Sequence, residues 1–408
     1  MLRRLLIGSA KVLLGCLFVA LLALILTSVS PIYRFQQPRP FQGPDIFNPY
    51  QHGDTLFRWK RANFHTHTRV EGIFNECEYT PAQTDSVYRR LGYDIVTFSN
   101  HNALTPHPYD EALQVPLYEH GYNLFKYHKL VFFAERVWRF DHLVPLFASQ
   151  FQFQMNRLAE QSAFVQLNHP LRTQGVTKRL MERLEGYRLI ELDSGRSTEN
   201  AYWDWALSAG HYSFALANDD LHYPDRSRCI AVRCNFLHTT HDTPPLALLY
   251  KDLKNSLLGG CYYAMRVPDY GKGDWAVKCA KNRDLPTIEQ IGVRGDTLHL
   301  ALSIQADSIK LFGQGHTTLL RALHTREASY VLGAKEPYAR FTAYFPEGEV
   351  IYTNPFARYD ASRHTSPYVE PTHTVNWPMS ILFNLLLLLL AIGVSFLFYK
   401  TVIRWQLP

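Results

Sequence analysis

This sequence is short of several features whose absence narrows its function. Its six cysteines in 408 residues include no pair with zinc-knuckle spacing, so a cysteine-built zinc module is not expected. Cys16 lies in an apolar run, and the remaining five (Cys77, Cys229, Cys234, Cys261 and Cys279) are an odd number, which predicts free thiols or at most one or two disulfides. The net charge of +6 comes with no long Lys/Arg run, so no dedicated nucleic-acid surface is expected. There is no internal repeat or low-complexity tract. Charge is scarce, at 19% against 47% hydrophobic residues, and the two ends of the chain account for much of that imbalance.

Residues 12–29, VLLGCLFVALLALILTSV, carry no charge. Residues 379–398, MSILFNLLLLLLAIGVSFLF, contain one polar intruder, Asn384. Both approach the ~20 apolar residues that a bilayer-spanning helix needs. Arg3 and Arg4 precede the first run, as in a signal peptide, but no small-x-small cleavage site precedes PIYRF. An uncleaved anchor over residues 5–29 is therefore expected. Arg3, Arg4 and Lys11 flank one span on its outer side, and Lys400 and Arg404 flank the other, which predicts cytoplasmic termini. The soluble part would then be extracytoplasmic, in a periplasm or lumen.

The Pro- and Gln-rich stretch 31–54 reads as a linker. From Leu56 onward, short apolar runs alternate with helical stretches, which implies an α/β unit over 55–265 with a parallel sheet or barrel and outer helices. ANFHTHT, DIVTFSNHN, HKLVFFAERVW, HLVPLFA, AFVQLNHP, RLIELDSG and YSFALANDD read as strands. In the helix TPAQTDSVYRRLGY, Thr80 is the N-cap and Pro81 the first helical residue. Short alternating strands over 275–360 predict a small β-sandwich-like appendage.

A His, Asp or Glu closes nearly every strand of the α/β unit: His65 and His67, His101, Glu135, His142, His169, Asp220 and His222. Barrel-type α/β folds build active sites at the C-terminal ends of parallel strands, so these side chains are expected to converge. Imidazole and carboxylate suit Zn²⁺, Mn²⁺ or Fe²⁺, and so many ligands exceed one coordination sphere, implying two or three ions. Such ions can bind phosphate oxygens and lower the pKa of water, supplying a metal-bridging hydroxide without a Ser or Cys nucleophile. Arg172 in HPLR and Arg196 in DSGR follow strand ends and are candidate phosphate grips. Asp193 is a candidate to orient a ligand histidine.

The order HTHT, SNHN, AE, HL, NHP, DDLH over residues 59–235 resembles the PHP (polymerase and histidinol phosphatase) superfamily. The resemblance implies a distorted seven-stranded (β/α) barrel holding a trinuclear centre. One ion would be held by His65, His67, Glu135 and Asp220, and a second by Glu135, His142 and His169. His101 and His222 would hold a third. Asp220, His222 and Glu135 would then lie nearest the chemistry. The family usually reads TDHN where this chain has SNHN, placing Asn100 at a position that is normally acidic. The acid that should follow His-x-His is Glu71 counting forward from His67 and Glu76 counting back from Thr80, with Glu71 preferred.

The expected function is a membrane-anchored phosphomonoesterase or phosphodiesterase acting on an envelope or lipid-linked phosphorylated substrate. The alternatives are a metal-dependent hydrolase of another ester or amide, and a non-catalytic membrane scaffold that retains the barrel.

Overall fold

A computed structural model describes residues 2–51, 57–71, 75–194, 201–239 and 245–404. The first helix, α1, covers Leu2–Thr27, and two short strands follow it, β1 (Tyr33–Arg34) and β2 (Asp45–Phe47). Next come β3 (Trp59–Asn63), α2 (Pro81–Arg90), β4 (Ile95–Val96), β5 (Leu117–His120) and β6 (Lys129–Phe132). A βαβαβ run then follows: after α3 (Ala148–Ala159) come β7 (Phe164–Leu167), α4 (Lys178–Met181), β8 (Leu189–Ser194), α5 (Tyr202–Ser208) and β9 (Phe214–Asn218).

Strand β10 (Arg233–His238), helix α6 (Leu246–Gly259), strand β11 (Tyr262–Arg266) and helix α7 (Trp275–Lys281) lead into the C-terminal strands. These are β12 (Ile288–Arg294), β13 (Thr297–Gly313), β14 (Thr317–Val331), β15 (Tyr338–Tyr344), β16 (Val350–Thr353) and β17 (Phe356–Tyr359). Then follow β18 (Thr374–Val375) and α8 (Trp377–Phe398), which runs on into a helical turn over Tyr399–Ile403.

The strands form several sheets that do not close into a barrel, which corrects the expected (β/α)7 architecture. One sheet runs β5-β6-β7-β8-β9, and a second, of eleven strands, runs β12-β13-β15-β16-β11-β10-β3-β4 with β14, β17 and β2 attached. Isolated parallel bridges, Thr66 with Leu221 and His101 with Glu119, link the two, and the Asn235 side chain of β10 accepts from the Ala217 N–H and donates to the Ala217 C=O of β9. One reason lies in residues 121–128, which link β5 to β6. A parallel crossover needs about a dozen residues or more, so this short link makes β5 and β6 an antiparallel pair.

The expected sandwich-like appendage is not separate either, because β16 pairs with β11, β11 with β10, and β10 with β3. HLVPLFA forms no strand: Pro145 lacks an N–H for a ladder, and the segment runs into α3 instead. Strands β5 to β9 are buried along their whole length, as expected for a sheet covered on both faces. Their apolar side chains, with Trp203 of α5, form a core beneath the ligand-bearing ends. Helix α2 starts as the sequence predicts: the Thr80 hydroxyl accepts from the Gln83 N–H, and the Gln83 side chain accepts from the Thr80 N–H.

Helices α1 and α8 are long and apolar enough to cross a membrane, over Ile7–Thr27 and Trp377–Ile403. Their leucines are largely exposed, for example Leu13, Leu17, Leu385 and Leu389, unlike those of a core helix. The two lie side by side and antiparallel. The rings of Phe18 and Phe398 stack at 4.3 Å, and at the opposite end the Asn384 amide bonds both the N–H and the C=O of Ser30. The β1–β18 pair joins the chain segments just beyond this second end.

Candidate metal centre

After β3 the chain leaves its ladder but stays buried from Phe64 to Thr68. His65 and His67, one residue apart in this extended segment, bring their rings to 5.3 Å of each other. Glu119 arrives from the end of β5 and Asp220 from just past β9. His65 Nε2 lies 3.2 Å from Glu119 Oε2 and 3.2 Å from Asp220 Oδ1. His67 Nε2 lies 3.1 Å and 3.4 Å from the same two oxygens. A tetrahedral ion with ligand bonds of about 2.1 Å separates its ligands by about 3.4 Å, so these spacings suit four donors around one cation.

Glu119 reaches two further histidine clusters. Its Oε2 is 3.0 Å from His101 Nε2, while its Oε1 is 3.2 Å from His128 Nδ1 and 3.6 Å from His169 Nε2. His101, Glu119 and His128 form a second group able to hold an ion, and His67, Glu76 and His222 a third. Glu76 Oε2 lies 3.1 Å from His101 and 3.8 Å from both His67 and His222. Nε2 of His65 and His67 and Oε2 of Glu119 are buried without hydrogen-bond partners among the described residues. Orphaned buried polar atoms are costly, and a shared cation would satisfy all three.

The surrounding residues fix these donors. Glu191 of β8 bonds His65 Nδ1 at 2.9 Å, which leaves Nε2 facing the cluster. The same carboxylate accepts from the His169 N–H and the Asn218 amide. Asp219 accepts from three backbone N–H groups (Ala231, Val232 and Arg233) and from the Tyr88 hydroxyl. That anchoring holds Asp220 at φ +50°, a left-handed conformation uncommon outside glycine. His169, at φ +25°, is similarly constrained. Asn100 accepts from the Thr68 N–H at 2.7 Å, fixing the end of the His-x-His segment.

Burial alone would raise the Glu119 carboxyl, yet His65, His101 and His128 together hold it well below its ordinary range. Asp220 is likewise held down, burial being outweighed by His65 and His67. His67 is pushed up to about 9: burial opposes its charge, but Asp220 and Glu119 favour it. Burial drives His101 down to about 4. The cluster is therefore anionic in its oxygens and attracts positive charge to the point where the Nε2 atoms meet them.

Of the expected residues, the structure brings His65, His67, His101, His169, Asp220 and His222 together. Glu135 is exposed and is replaced in the cluster by Glu119. His142 belongs to none of the ligand groups; its Nδ1 bonds the backbone C=O of Thr27 at the end of α1, and His128 takes the expected position. Glu71 is exposed, and the acid beside the histidines is Glu76. Asp193 pairs with Arg233 and accepts from Tyr352, leaving the orienting role to Glu191. Arg172 pairs with Asp220 Oδ2, and Arg196 lies outside the described residues. All six cysteines are free thiols.

The comparisons with family models, curated proteins and solved structures each find no match. The centre is thus read from its own geometry: buried His, Glu and Asp groups that could hold a metal ion, beside two candidate membrane helices.

Proposed function

We propose that the chain is a membrane-anchored, metal-dependent hydrolase of phosphomonoesters or phosphodiesters. The observation that carries this reading is the convergence of His65, His67, Glu119 and Asp220 beside a cavity rich in arginine. That cavity, of ≈ 520 Å³, is lined by Asp220 and His222 together with Arg172, Arg226 and Arg228. Guanidinium groups match phosphate oxygens in geometry and charge, so a ring of three beside metal ligands favours an anionic ester over a neutral one.

His65, His67, Glu119 and Asp220 would hold one ion, with Glu119 bridging to a second at His101 and His128. Glu76 and His222 would complete a third position. Zn²⁺, Mn²⁺ and Fe²⁺ all suit this nitrogen and oxygen set. Bound ions would polarise a phosphoryl oxygen and bring the pKa of a coordinated water near 7. The protein's own part is positional. Arg172 holds Asp220 Oδ2 so that Oδ1 faces the imidazoles, and Arg226, stacked on Tyr223 at 3.9 Å, presents a fixed cation at the mouth. The ordered motifs support descent from the PHP superfamily, with Glu119, His128 and Glu76 as the reassigned ligands. The basic flanks of both spans support cytoplasmic termini and an extracytoplasmic catalytic portion.

The test uses the full chain in detergent, with metal content and hydrolysis of p-nitrophenyl phosphate and its bis ester as readouts. Bound metal and turnover are expected, with both lost in His65→Ala and Asp220→Ala. Absence of metal, or turnover indifferent to these substitutions, sinks the reading.

A further inference from the structure

We propose that the metal centre takes its substrate from a lipid leaflet: an apolar shelf of Leu124, Leu143 and Leu146, continuous with the membrane end of α1, receives the acyl part of a phosphorylated lipid whose headgroup enters beside Arg172. The proposal rests on the phosphoesterase reading and adds to it the direction of approach and the class of substrate.

The span Ile7–Thr27 has 21 residues, a rise of about 32 Å that matches a hydrocarbon core of about 30 Å. Thr27 and Ser28 therefore stand at the edge of the leaflet. The soluble part is fastened to this edge by side chains and backbone. The Leu143 N–H donates to Thr27 Oγ1 at 3.4 Å, and the Gln150 amide donates to the Ser28 C=O at 3.0 Å. The Leu146 N–H bonds the same Gln150 side chain, and Phe147 meets Phe383 of α8 edge-on at 5.2 Å.

Leu124 is 69% exposed and Leu146 65%. Exposed leucines beside a membrane edge are costly in water and at home in lipid. Lys126 and Arg139 are exposed on the same segments, where cations meet lipid headgroups.

A single loop connects this shelf to the metal centre. In residues 121–128, the Leu124 N–H donates to the Leu143 C=O at 2.9 Å on the membrane side. On its inner side, Tyr122 lies against the His101 ring at 4.8 Å, and His128 faces Glu119. The neighbouring loop carries Arg172 and is sewn to the first, with the Gln174 N–H donating to the Phe125 C=O at 2.7 Å and Thr173 Oγ1 to the Lys126 C=O at 2.9 Å. Leu171 on that loop is 45% exposed. The shelf and the arginine-lined cavity are thus joined through two hydrogen-bonded loops, the first carrying Leu124 and the second Arg172. A soluble phosphate ester would need no such shelf.

The full chain in phosphatidylcholine nanodiscs containing phosphatidic acid tests this, with phosphate release from the lipid and from p-nitrophenyl phosphate in the buffer measured on one preparation. The ratio of lipid to soluble turnover is expected to fall about tenfold in the double variant Leu124→Asp with Leu146→Asp. A ratio unchanged within about twofold, or wild-type turnover of the soluble ester but not of the lipid, overturns the proposal. If the wild type hydrolyses neither of these nor bis-p-nitrophenyl phosphate, the phosphoesterase reading itself fails; turnover of the bis ester alone overturns the proposal of a phosphomonoester lipid substrate. The shelf has a separate readout: brominated phosphatidylcholine should quench Leu124→Trp more strongly than the wild type, and equal quenching overturns its contact with lipid.

Discussion

The run β7-β8-β9 and the hairpin β5–β6 belong to one sheet, yet they deliver ligands by opposite rules. In the parallel run, His169 and Asp220 lie just past the C-terminal ends of β7 and β9, as a parallel α/β unit requires. In the hairpin, the strands run antiparallel. The end of β5 and the start of β6 therefore share the side of the candidate metal cluster, and they supply Glu119 and His128. Glu135, past the far end of β6, is carried away to the surface. A rule about strand ends is thus a rule about strand direction.

The largest expected effect breaks this comparison directly. Glu119 bridges two ligand groups, so Glu119→Gln should remove bound metal and lower turnover by about a thousandfold or more. Glu135→Gln should leave both within about twofold. The same contrast holds for His128→Ala against His142→Ala, where only the first should lose metal. Metal analysis of the purified full chain, with kcat on p-nitrophenyl phosphate, reads out all four. Metal loss in Glu135→Gln with retention in Glu119→Gln would restore the strand-end rule for the hairpin.

The parallel run was legible because its βαβ spacing, apolar strands and terminal ligands all agree. His65, His67 and His101 were legible for the same reason. Glu119 was missed although LYEHGY offered an apolar pair ended by Glu and His before a glycine, the same signal read at FFAERV. Only the eight-residue link 121–128, too short for a crossover, distinguishes the two, and its consequence is a matter of topology. His128 precedes its strand, so no strand-end pattern could find it. Glu191 follows the alternation of a buried strand. A register shift between Glu191 and Asp193 separates the two, and Glu191 takes the orienting place for which Asp193 was the candidate. The open sheets were hidden because strand-by-strand patterns do not reveal that the C-terminal strands extend the sheet of β3.

A middle-sized effect separates the scaffold from the ligands within the parallel half. Asp219 satisfies three backbone N–H groups, two of them buried, and Tyr88, so Asp219→Ala should destabilise the fold by about 3 kcal/mol. Denaturation of the metal-free chain would show this loss, whereas Asp220→Ala, which removes a ligand and not an anchor, should cost less there than Asp219→Ala. If the order is reversed, the strained Asp220 conformation is not held by its neighbour.

The smallest effect concerns the outer edge of the same half. Glu185, just after α4, accepts from the N–H groups of Thr372 and His373 and pairs with the His373 ring at 2.9 Å, clasping the segment that leads into α8. Burial opposes its charge, but His373 and the two N–H groups win and hold its pKa at about 2, against an ordinary 4.5. A depressed carboxyl stabilises the folded state fully above its unfolded pKa and loses that contribution as pH falls toward the folded one. Glu185→Gln should therefore cost about 1 kcal/mol at neutral pH, and the difference from wild type should shrink as pH falls from about 5 to about 2. Denaturant midpoints of the two proteins across that range measure it. A difference that persists undiminished at the acid end would mean that the clasp depends on packing and not on the charge of Glu185.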